Sequence, residues 1–213
     1  MAGEPARAAR TPQQQRSDKT RRALLDATVA CLMEHGFART TTLEVQRRAG
    51  VSRGALLHHF PSKTELLVAT VDHLAGMRGR ELKDKGARLP AGAARVDAAI
   101  DLLWESFTGP LFAVAMELRN AARTDAELRP VLATTEREVH DRIIHQSRHL
   151  FGDDVAGMPG FECAIDITLQ LMIGAATSAV VHHEPKSVEQ LIHRWKAVFP
   201  SLLESGAHSR GDI

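Results

Sequence analysis

Two polar side chains in the first third of the chain have the residue types that read nucleic-acid bases. Arg53 and His58 lie in one short segment, together with the small residues Gly54 and Ala55. An arginine can bind guanine O6 and N7 with two hydrogen bonds, a histidine can donate to a base or a phosphate, and small residues let the backbone approach the bases. The segment therefore predicts a surface that contacts DNA bases. We expect this surface to include Ser52, Leu57 and His59 as well.

Hydroxyl and cationic side chains on both sides of this segment suit phosphate oxygens. Thr41, Thr42 and Arg47 precede the segment, and Lys63 follows it at the start of a further helix. Contacts with phosphates position a protein on DNA without reading its sequence. The positive end of a helix also favours an anion. We therefore expect these four residues to bind the backbone of double-stranded DNA.

The elements that must position these side chains are two short helices around a glycine turn. Thr41 and Glu44 form a capping box, which predicts that a helix begins at the next residue after Thr41. Gly50 can end that helix in the left-handed conformation, Ser52 can cap the second helix, and Phe60-Pro61 can stop it. Two helices of about two turns joined in this way are typical of a helix-turn-helix, whose second helix enters the major groove.

The region from about residue 20 to residue 74 resembles the N-terminal domain of TetR-family transcriptional repressors. The matching motifs are Asp26-Ala27, Gly36-Phe37, Arg48-Ala49-Gly50-Val51-Ser52, Leu56, Phe60-Pro61-Ser62-Lys63 and Leu66-Leu67. The resemblance implies an all-α protein with an N-terminal three-helix DNA-binding domain, followed by a helical ligand-binding and dimerisation domain. It also implies a homodimer that binds a near-palindromic operator and is released by an unidentified small-molecule effector.

Three sites depart from the family pattern. Gln46 stands where an alanine is usual, and Leu43 stands where many members have an arginine that reaches a base or a phosphate. Leu57 and His59 occupy positions where a tyrosine often contacts phosphate, and the chain contains no tyrosine. The operator sequence therefore cannot be carried over from the family.

The charge distribution agrees with a DNA-binding segment near the N-terminus. The whole chain has a net charge of +1, but residues 1–60 carry 10 Lys or Arg against 5 Asp or Glu, and residues 61–213 carry 17 against 21. A basic segment attracts phosphates regardless of base sequence, and the attraction weakens as salt rises.

Composition predicts a cytoplasmic protein without a cofactor or a membrane partner. Cys31 and Cys163 lie far apart in expected helices, which favours buried thiols over a disulfide framework. The N-terminus has no apolar segment of the kind that a signal peptide needs. The apolar run from Ile167 to Val181 contains Gln170 and is shorter than the ~20 residues that span a bilayer, so we interpret it as a buried helix.

Composition and the positions of glycine and proline divide the chain into four segments. Residues 1–16 are expected to form a disordered arm, which either enters the minor groove or is an inert tail. Residues 17–75 are the expected DNA-binding domain, 76–205 the helical effector-binding and dimerisation domain, and 206–213 a flexible tail. Within the second domain we expect a connector from Gly76 to Gly92 and helix starts at capping boxes led by Thr124 and Ser187.

The resemblance also implies an effector pocket and a dimer interface in the second domain. The apolar residues that we expect to line the pocket are Trp104, Phe107, Phe112, Met116 and Met172. The helix expected from Phe161 to His182 is apolar over most of its circumference and rich in small residues, and the last helix has a broad apolar stripe, so we expect the pair to form the interface unless they are simply the core of a monomer. The interface residues are Ile165, Leu169, Met172, Ala176, Val180, Leu191, Trp195 and Val198.

One alternative function is hydrolysis. Gly50-Val51-Ser52-Arg53-Gly54 matches G-x-S-x-G, the nucleophile elbow of α/β-hydrolases. That motif requires a buried strand before the serine, whereas the preceding residues have a charged and helical pattern. We therefore do not expect an enzyme.

The other alternative is a metal-responsive regulator. The chain has 11 histidines, and His145 and His149 share a helix face, with His140 and Asp141 nearly a turn away. His182-His183-Glu184 is a separate cluster. No cysteine stands at ligand spacing from either group, so no metal site is predicted.

Overall fold

The computed structural model describes residues 11–182 and 185–205, and in these ranges it contains helices and no strand. The α-helices are α1 (Pro12–Arg39), α2 (Thr42–Ala49), α3 (Arg53–His59), α4 (Lys63–Gly86), α5 (Ala93–Trp104), α6 (Pro110–Ala122), α7 (Leu128–Phe151), α8 (Asp153–Ala156), α9 (Phe161–His182) and α10 (Pro185–Glu204), with a 3₁₀ turn at Glu105–Phe107. The expected all-α class is therefore confirmed.

Helices α1 to α3 and the start of α4 share one small apolar core. Leu24 and Leu25 of α1 pack with Val45 of α2, Leu56 of α3 and Leu66 of α4, and all five are buried. Each helix contributes its apolar face at helical spacing, so the opposite faces of α2 and α3 are left for solvent or a ligand. This core fixes the angle between the two short helices.

Helix α1 begins earlier than the sequence interpretation placed it. Its first residue is Pro12, and Thr11 caps it: the Thr11 hydroxyl accepts the Gln14 N–H, and the Gln14 side chain accepts the Thr11 N–H at 2.9 Å. The expected disordered arm to residue 16 is therefore wrong from Pro12 onward. Residues 1–10 lie outside the described residues.

One continuous helix crosses the expected domain boundary between residues 75 and 76. Helix α4 runs from Lys63 to Gly86, so most of the expected connector from Gly76 to Gly92 is helical. Two glycines of α4 lie against α7: a Cβ on Gly79 would lie 2.3 Å from Gln146 Nε2, and one on Gly86 would lie 2.8 Å from Leu150 Cδ1. The small residues let α4 approach α7 closely.

The second domain has two apolar clusters. One joins α4, α6 and α7 to α1 through residues such as Leu32, Val71 and Leu118. The other joins α5, α7, α9 and α10, with Phe151 stacked on Phe199 at a centroid distance of 5.2 Å. Helix α6 thus belongs to the cluster that reaches the DNA-binding unit.

Two expected helix starts are wrong by a few residues. Helix α7 begins at Leu128, after the N-cap residue Glu127, and not directly after Thr124; Asp125 Oδ1 accepts the N–H groups of Glu127 and Leu128. Pro130 falls in the first turn of α7, where its missing N–H costs little. Helix α10 already begins at Pro185, so Ser187 lies inside it and is not its cap.

Helix α9 is the one described helix with the length and composition of a membrane span. The window Phe161–Val181 has a mean hydropathy of 1.6, so the expectation that this region is too short to span a bilayer is wrong on length. However, 39% of that window is buried inside the protein, and Ile165, Leu169 and Met172 belong to the core. Only the other face of α9 is exposed.

Candidate nucleic-acid interface and cavity

Helix α2 is held at both ends by local hydrogen bonds. Thr41 Oγ1 accepts the Glu44 N–H at 3.2 Å, as expected for a capping residue. The Glu44 carboxylate does not complete the capping box, because it binds the Arg47 guanidinium instead. At the other end Gly50 has a φ of +66°, a left-handed conformation that residues with a Cβ rarely adopt. The turn into α3 therefore depends on a glycine.

Helix α3 presents the predicted base-reading residues to solvent. Ser52 Oγ accepts the Ala55 N–H at 3.1 Å and starts the helix, while Leu56 is buried in the core beneath it. Arg53, Gly54, Leu57 and His58 are exposed, and Ala55 and His59 are half-buried. A seven-residue helix with its apolar side anchored and its polar side free has the form of a DNA recognition helix.

An ion pair fixes α2 against α1. The Arg48 guanidinium spans the Glu34 carboxylate with two hydrogen bonds, one of them 2.7 Å long. This pairing raises the pKa of Arg48 and lowers the pKa of Glu34. Cys31 lies beneath the pair, and burial raises the pKa of its thiol. The expectation of a buried thiol holds for Cys31 but is wrong for Cys163, which is exposed on α9.

The predicted phosphate-binding residues differ in their availability. Thr41 and Arg47 are exposed, and Thr42 is half-buried. Lys63 is turned inward: its Nζ lies 4.5 Å from the centre of the Phe37 ring and donates to the Phe37 carbonyl at 3.4 Å. Burial lowers the pKa of this ammonium group. Lys63 thus has a packing role in this structure, and its side chain would have to turn outward to reach a phosphate.

His59 is tied into the base of α3. Its ring lies edge-on to the His58 ring at a centroid distance of 5.3 Å and beside the Phe60 ring at 6.3 Å. Burial, followed by the nearby His58 and Arg21, lowers the pKa of His59. His58 is the outer histidine of the pair and the more available one for DNA.

The surroundings of Ser52 do not fit a hydrolase. Val51, which precedes Ser52, lies in the turn between α2 and α3. No strand occurs in the ranges that the structure describes. Its hydroxyl accepts the Ala55 N–H and caps α3. The G-x-S-x-G match is therefore a helix-capping sequence and not a nucleophile elbow.

The histidines of α7 do not converge into a metal site. The rings of His145 and His149 lie edge to face at 5.2 Å, while His140 turns toward Asp166 of α9 at 3.1 Å. Within residues 11–182 and 185–205 no three His, Cys, Asp or Glu side chains are grouped to hold a metal ion. His183 and Glu184 lie outside the described residues.

A cavity of about 150 Å³ lies among α4, α6, α7 and α9. Phe107 and Phe112, two of the residues expected at an effector pocket, line it with their rings 5.8 Å apart. Trp104 stacks on Phe107 from outside the lining. The expectation is wrong for Trp104, Met116 and Met172, none of which lines the cavity, and Met172 is wholly buried in the core.

The polar groups of this cavity were not anticipated from the sequence. Arg119 of α6 binds Glu136 of α7 at 2.6 Å on the cavity wall. Arg78 of α4 donates to Ser106 Oγ and to the Leu102 carbonyl, both at 2.7 Å. The sequence around these arginines is typical of exposed helix positions. Only the packing of α4, α6 and α7 brings both of them to the wall of one cavity. The other polar residues of the lining are Ser106, His140, Arg142, Gln146 and Gln170.

The expected interface residues divide into a buried and an exposed set. Five of them lie in the protein's own core, so the expectation that they contact a second subunit is wrong: these are Ile165, Leu169, Met172, Ala176 and Trp195. Trp195 even donates its indole N–H to Thr168 Oγ1 of α9 at 3.0 Å. Val180, Leu191 and Val198 are exposed, as an interface would require.

The exposed face of α9 contains positions that the sequence interpretation missed. Ile167, Gly174 and Val181 recur every seven residues on this face, and a Cβ added to Gly174 would meet no atom of the chain within 4 Å. A helix that is apolar on all sides gives no periodic signal that separates its core face from its outer face.

Comparisons with known proteins agree with this arrangement. Residues 24–70, which run from within α1 through α2 and α3 into the first third of α4, match the family described as bacterial regulatory proteins, tetR family. An uncharacterized HTH-type transcriptional regulator of Mycobacterium tuberculosis is 32% identical over 194 residues, which is 91% of this chain and 97% of that protein.

Solved structures share the fold along nearly the whole chain. A transcriptional regulator from Pseudomonas aeruginosa superimposes with a TM-score of 0.64 at 23% identity, covering 97% of this chain and 98% of the other. FadR from Bacillus subtilis, solved in complex with stearoyl-CoA, has a TM-score of 0.62 at 16% identity and covers 88% and 99% of the two chains. Because a relative of similar length exceeds 30% identity, the chain belongs to the TetR family of helix-turn-helix transcriptional regulators and is a DNA-binding protein rather than an enzyme.

Proposed function

We propose that this regulator is a cytoplasmic repressor that binds a near-palindromic operator as a homodimer and leaves it when a small molecule occupies the cavity. The observation that carries the proposal is the exposed, rigidly capped helix α3, with Arg53 and His58 facing outward above an anchored apolar side. Such a helix fits the major groove, and a two-fold dimer would present two of them about one DNA turn apart.

Different residues take different parts in this DNA contact. Arg53 stands at the start of α3, where recognition helices reach base edges, and its guanidinium can bind a guanine with two hydrogen bonds. Arg47 is exposed on α2, the helix that crosses the DNA backbone in this motif, and Thr41 is exposed at its N-cap, so they bind phosphates. Arg53 then determines base preference, and Arg47 contributes affinity for any sequence.

The dimer forms through the outer face of α9 and α10. Ile167, Gly174 and Val181 of α9 and Leu191 and Val198 of α10 each repeat at seven-residue spacing on exposed surface. A seven-residue repeat of apolar and small residues suits close helix packing, and two copies of one such face are self-complementary about a two-fold axis. This use of the face also accounts for the apolar surface of α9 without a membrane.

The cavity binds the effector, and α6 connects it to the DNA-binding unit. Phe112, Ala115 and Arg119 of α6 line the cavity. On the same helix, Glu117 accepts the Phe37 N–H at the end of α1 at 2.9 Å. A ligand that displaces α6 would therefore shift α1 and with it the spacing of the two recognition helices. FadR, which shares the fold, was solved with stearoyl-CoA, and this supports ligand binding as the role of the second domain.

Selection of bound duplexes from a random DNA pool tests the proposal. The full chain should enrich a near-palindrome whose half-sites are about one turn apart. Arg53→Ala should enrich a different base at one position in each half-site, whereas Arg47→Ala should keep the wild-type sequence, bind it more weakly and flatten the salt dependence. Identical effects of the two variants would contradict the assignment of roles.

A further inference from the structure

Leu57 is an exposed leucine on the one helix that the fold presents to DNA. Its side chain is 44% exposed, although its neighbour Leu56 is buried, and it belongs to none of the apolar clusters of the described residues. Packing within the subunit therefore does not explain why an apolar side chain stands at this position.

The neighbours of Leu57 place it within the base-reading surface. It lies one turn after Arg53 on the same side of α3, and it directly precedes the exposed His58. Arg53 and His58 have hydrogen-bonding groups for bases and phosphates, whereas the side chain of Leu57 is a hydrocarbon and cannot hydrogen-bond to a phosphate. The matching chemistry on DNA must itself be apolar.

The major groove offers one such group on a base edge, which is the C5 methyl of thymine. We propose that Leu57 reads a thymine C5 methyl in each operator half-site, at a base pair next to the one that Arg53 contacts. This inference rests on the proposed insertion of α3 into the major groove and adds a specificity-determining residue to it. It assigns to Leu57 the discrimination of thymine from cytosine, whose C5 has only a hydrogen.

Replacement of thymine by deoxyuridine isolates this contact, because it removes the methyl group and leaves every hydrogen-bonding atom of the base in place. The probe is a duplex selected from a random pool by the wild-type full chain and then synthesised with single dT-to-dU changes, made symmetrically in both half-sites. Affinity is measured by fluorescence anisotropy at one fixed salt concentration.

For the wild type, we expect one thymine per half-site at which the dU change weakens binding by about fourfold per half-site, as one lost apolar CH₂ unit predicts. Leu57→Ala should bind the thymine and uracil duplexes equally, and Leu57→Met should keep the difference because it keeps an apolar side chain. Arg53→Ala is the matched control on the same helix: it should bind more weakly overall but still lose about fourfold per half-site with uracil.

Three outcomes would overturn the inference. They are that no thymine position responds to the dU change, that the response persists in Leu57→Ala, or that Arg53→Ala loses it as well, which would make it a consequence of weak binding in general. Failure of the wild type to bind any duplex would instead contradict the proposed function itself. Circular dichroism of Leu57→Ala should match the wild type, since alanine suits an exposed helical position.

Discussion

The carboxylate of Glu117 on α6 accepts a hydrogen bond from the backbone N–H of Phe37 at a distance of 2.9 Å. Phe37 lies at the end of α1. The ammonium group of Lys63, at the start of α4, packs over the Phe37 ring in a cation–π contact. One residue of the DNA-binding unit is thus held both by the cavity-lining helix and by the helix that follows α3. Motion of α6 would reach the recognition helix through this point.

Removal of the Glu117 carboxylate should weaken the junction between the two domains. We expect Glu117→Ala to lower the free energy of unfolding by about 1 kcal/mol, because the Phe37 N–H loses its acceptor. Glu117→Gln keeps an oxygen acceptor and should lose less than half as much. Urea unfolding at a single protein concentration measures both variants, and equal losses would contradict a hydrogen-bonding role for this side chain.

Substitution of two neighbouring glycines should have opposite effects on stability. Gly50→Ala should destabilise the protein by about 1 kcal/mol through its positive φ alone, because no atom lies within 4 Å of the added Cβ. Gly54 is helical, so Gly54→Ala should stabilise α3 by up to about 1 kcal/mol while weakening DNA binding where the backbone approaches the bases. Thermal unfolding and anisotropy distinguish the two. A stabilising Gly50→Ala would show that the left-handed turn is not required.

The proposed dimer face can be tested without disturbing the subunit. Gly174→Arg adds a long charged side chain where the subunit itself has open space, so the helical content should remain and the dimer should dissociate. Ala133→Arg on the exposed surface of α7 is the control and should remain dimeric. Light scattering after size exclusion gives the mass of each. A dimeric Gly174→Arg would exclude this face as the interface.

Acidification should destabilise the protein in part through His59. Because burial lowers the pKa of His59 in the folded state, the unfolded chain binds a proton first as the pH falls through about 6.5. The contribution of neutral His59 to the free energy of unfolding is therefore fully present above that pH. It decreases as the pH falls further, and the decrease ends where the histidine of the folded protein is also protonated. His59→Gln should make the urea midpoint less dependent on pH between about 7.5 and 5.5. The same dependence in both proteins would contradict this role of His59.

Local capping residues made the DNA-binding unit predictable from the sequence. Thr41, Gly50 and Ser52 act within one helical turn of themselves, so their roles depend little on the rest of the fold. The start of α1 could have been predicted in the same way, because Thr11, Pro12 and Gln14 form a capping box with a proline at the first helical position. Composition alone, with two prolines and no apolar period, instead favours a disordered arm there.

The face of α9 could not be predicted by the same reasoning. Met172 and Val180 are both apolar and both lie on α9, but the first is wholly buried and the second is 69% exposed. Only the position of α9 between α7 and α10 decides which of them faces the core, and that position depends on contacts between residues far apart in the sequence. The inward turn of Lys63 onto Phe37 is likewise a long-range contact with no local pattern.

A titration of the selected operator duplex with the full chain at increasing salt concentrations tests the central claim most directly. The account predicts that two protomers bind each duplex through α3, that affinity falls steadily as salt rises, and that Arg53→Ala has a smaller preference than the wild type for this duplex over random DNA. Absence of binding to every duplex at low ionic strength, or binding by wild type and Arg53→Ala with the same preference, would contradict it.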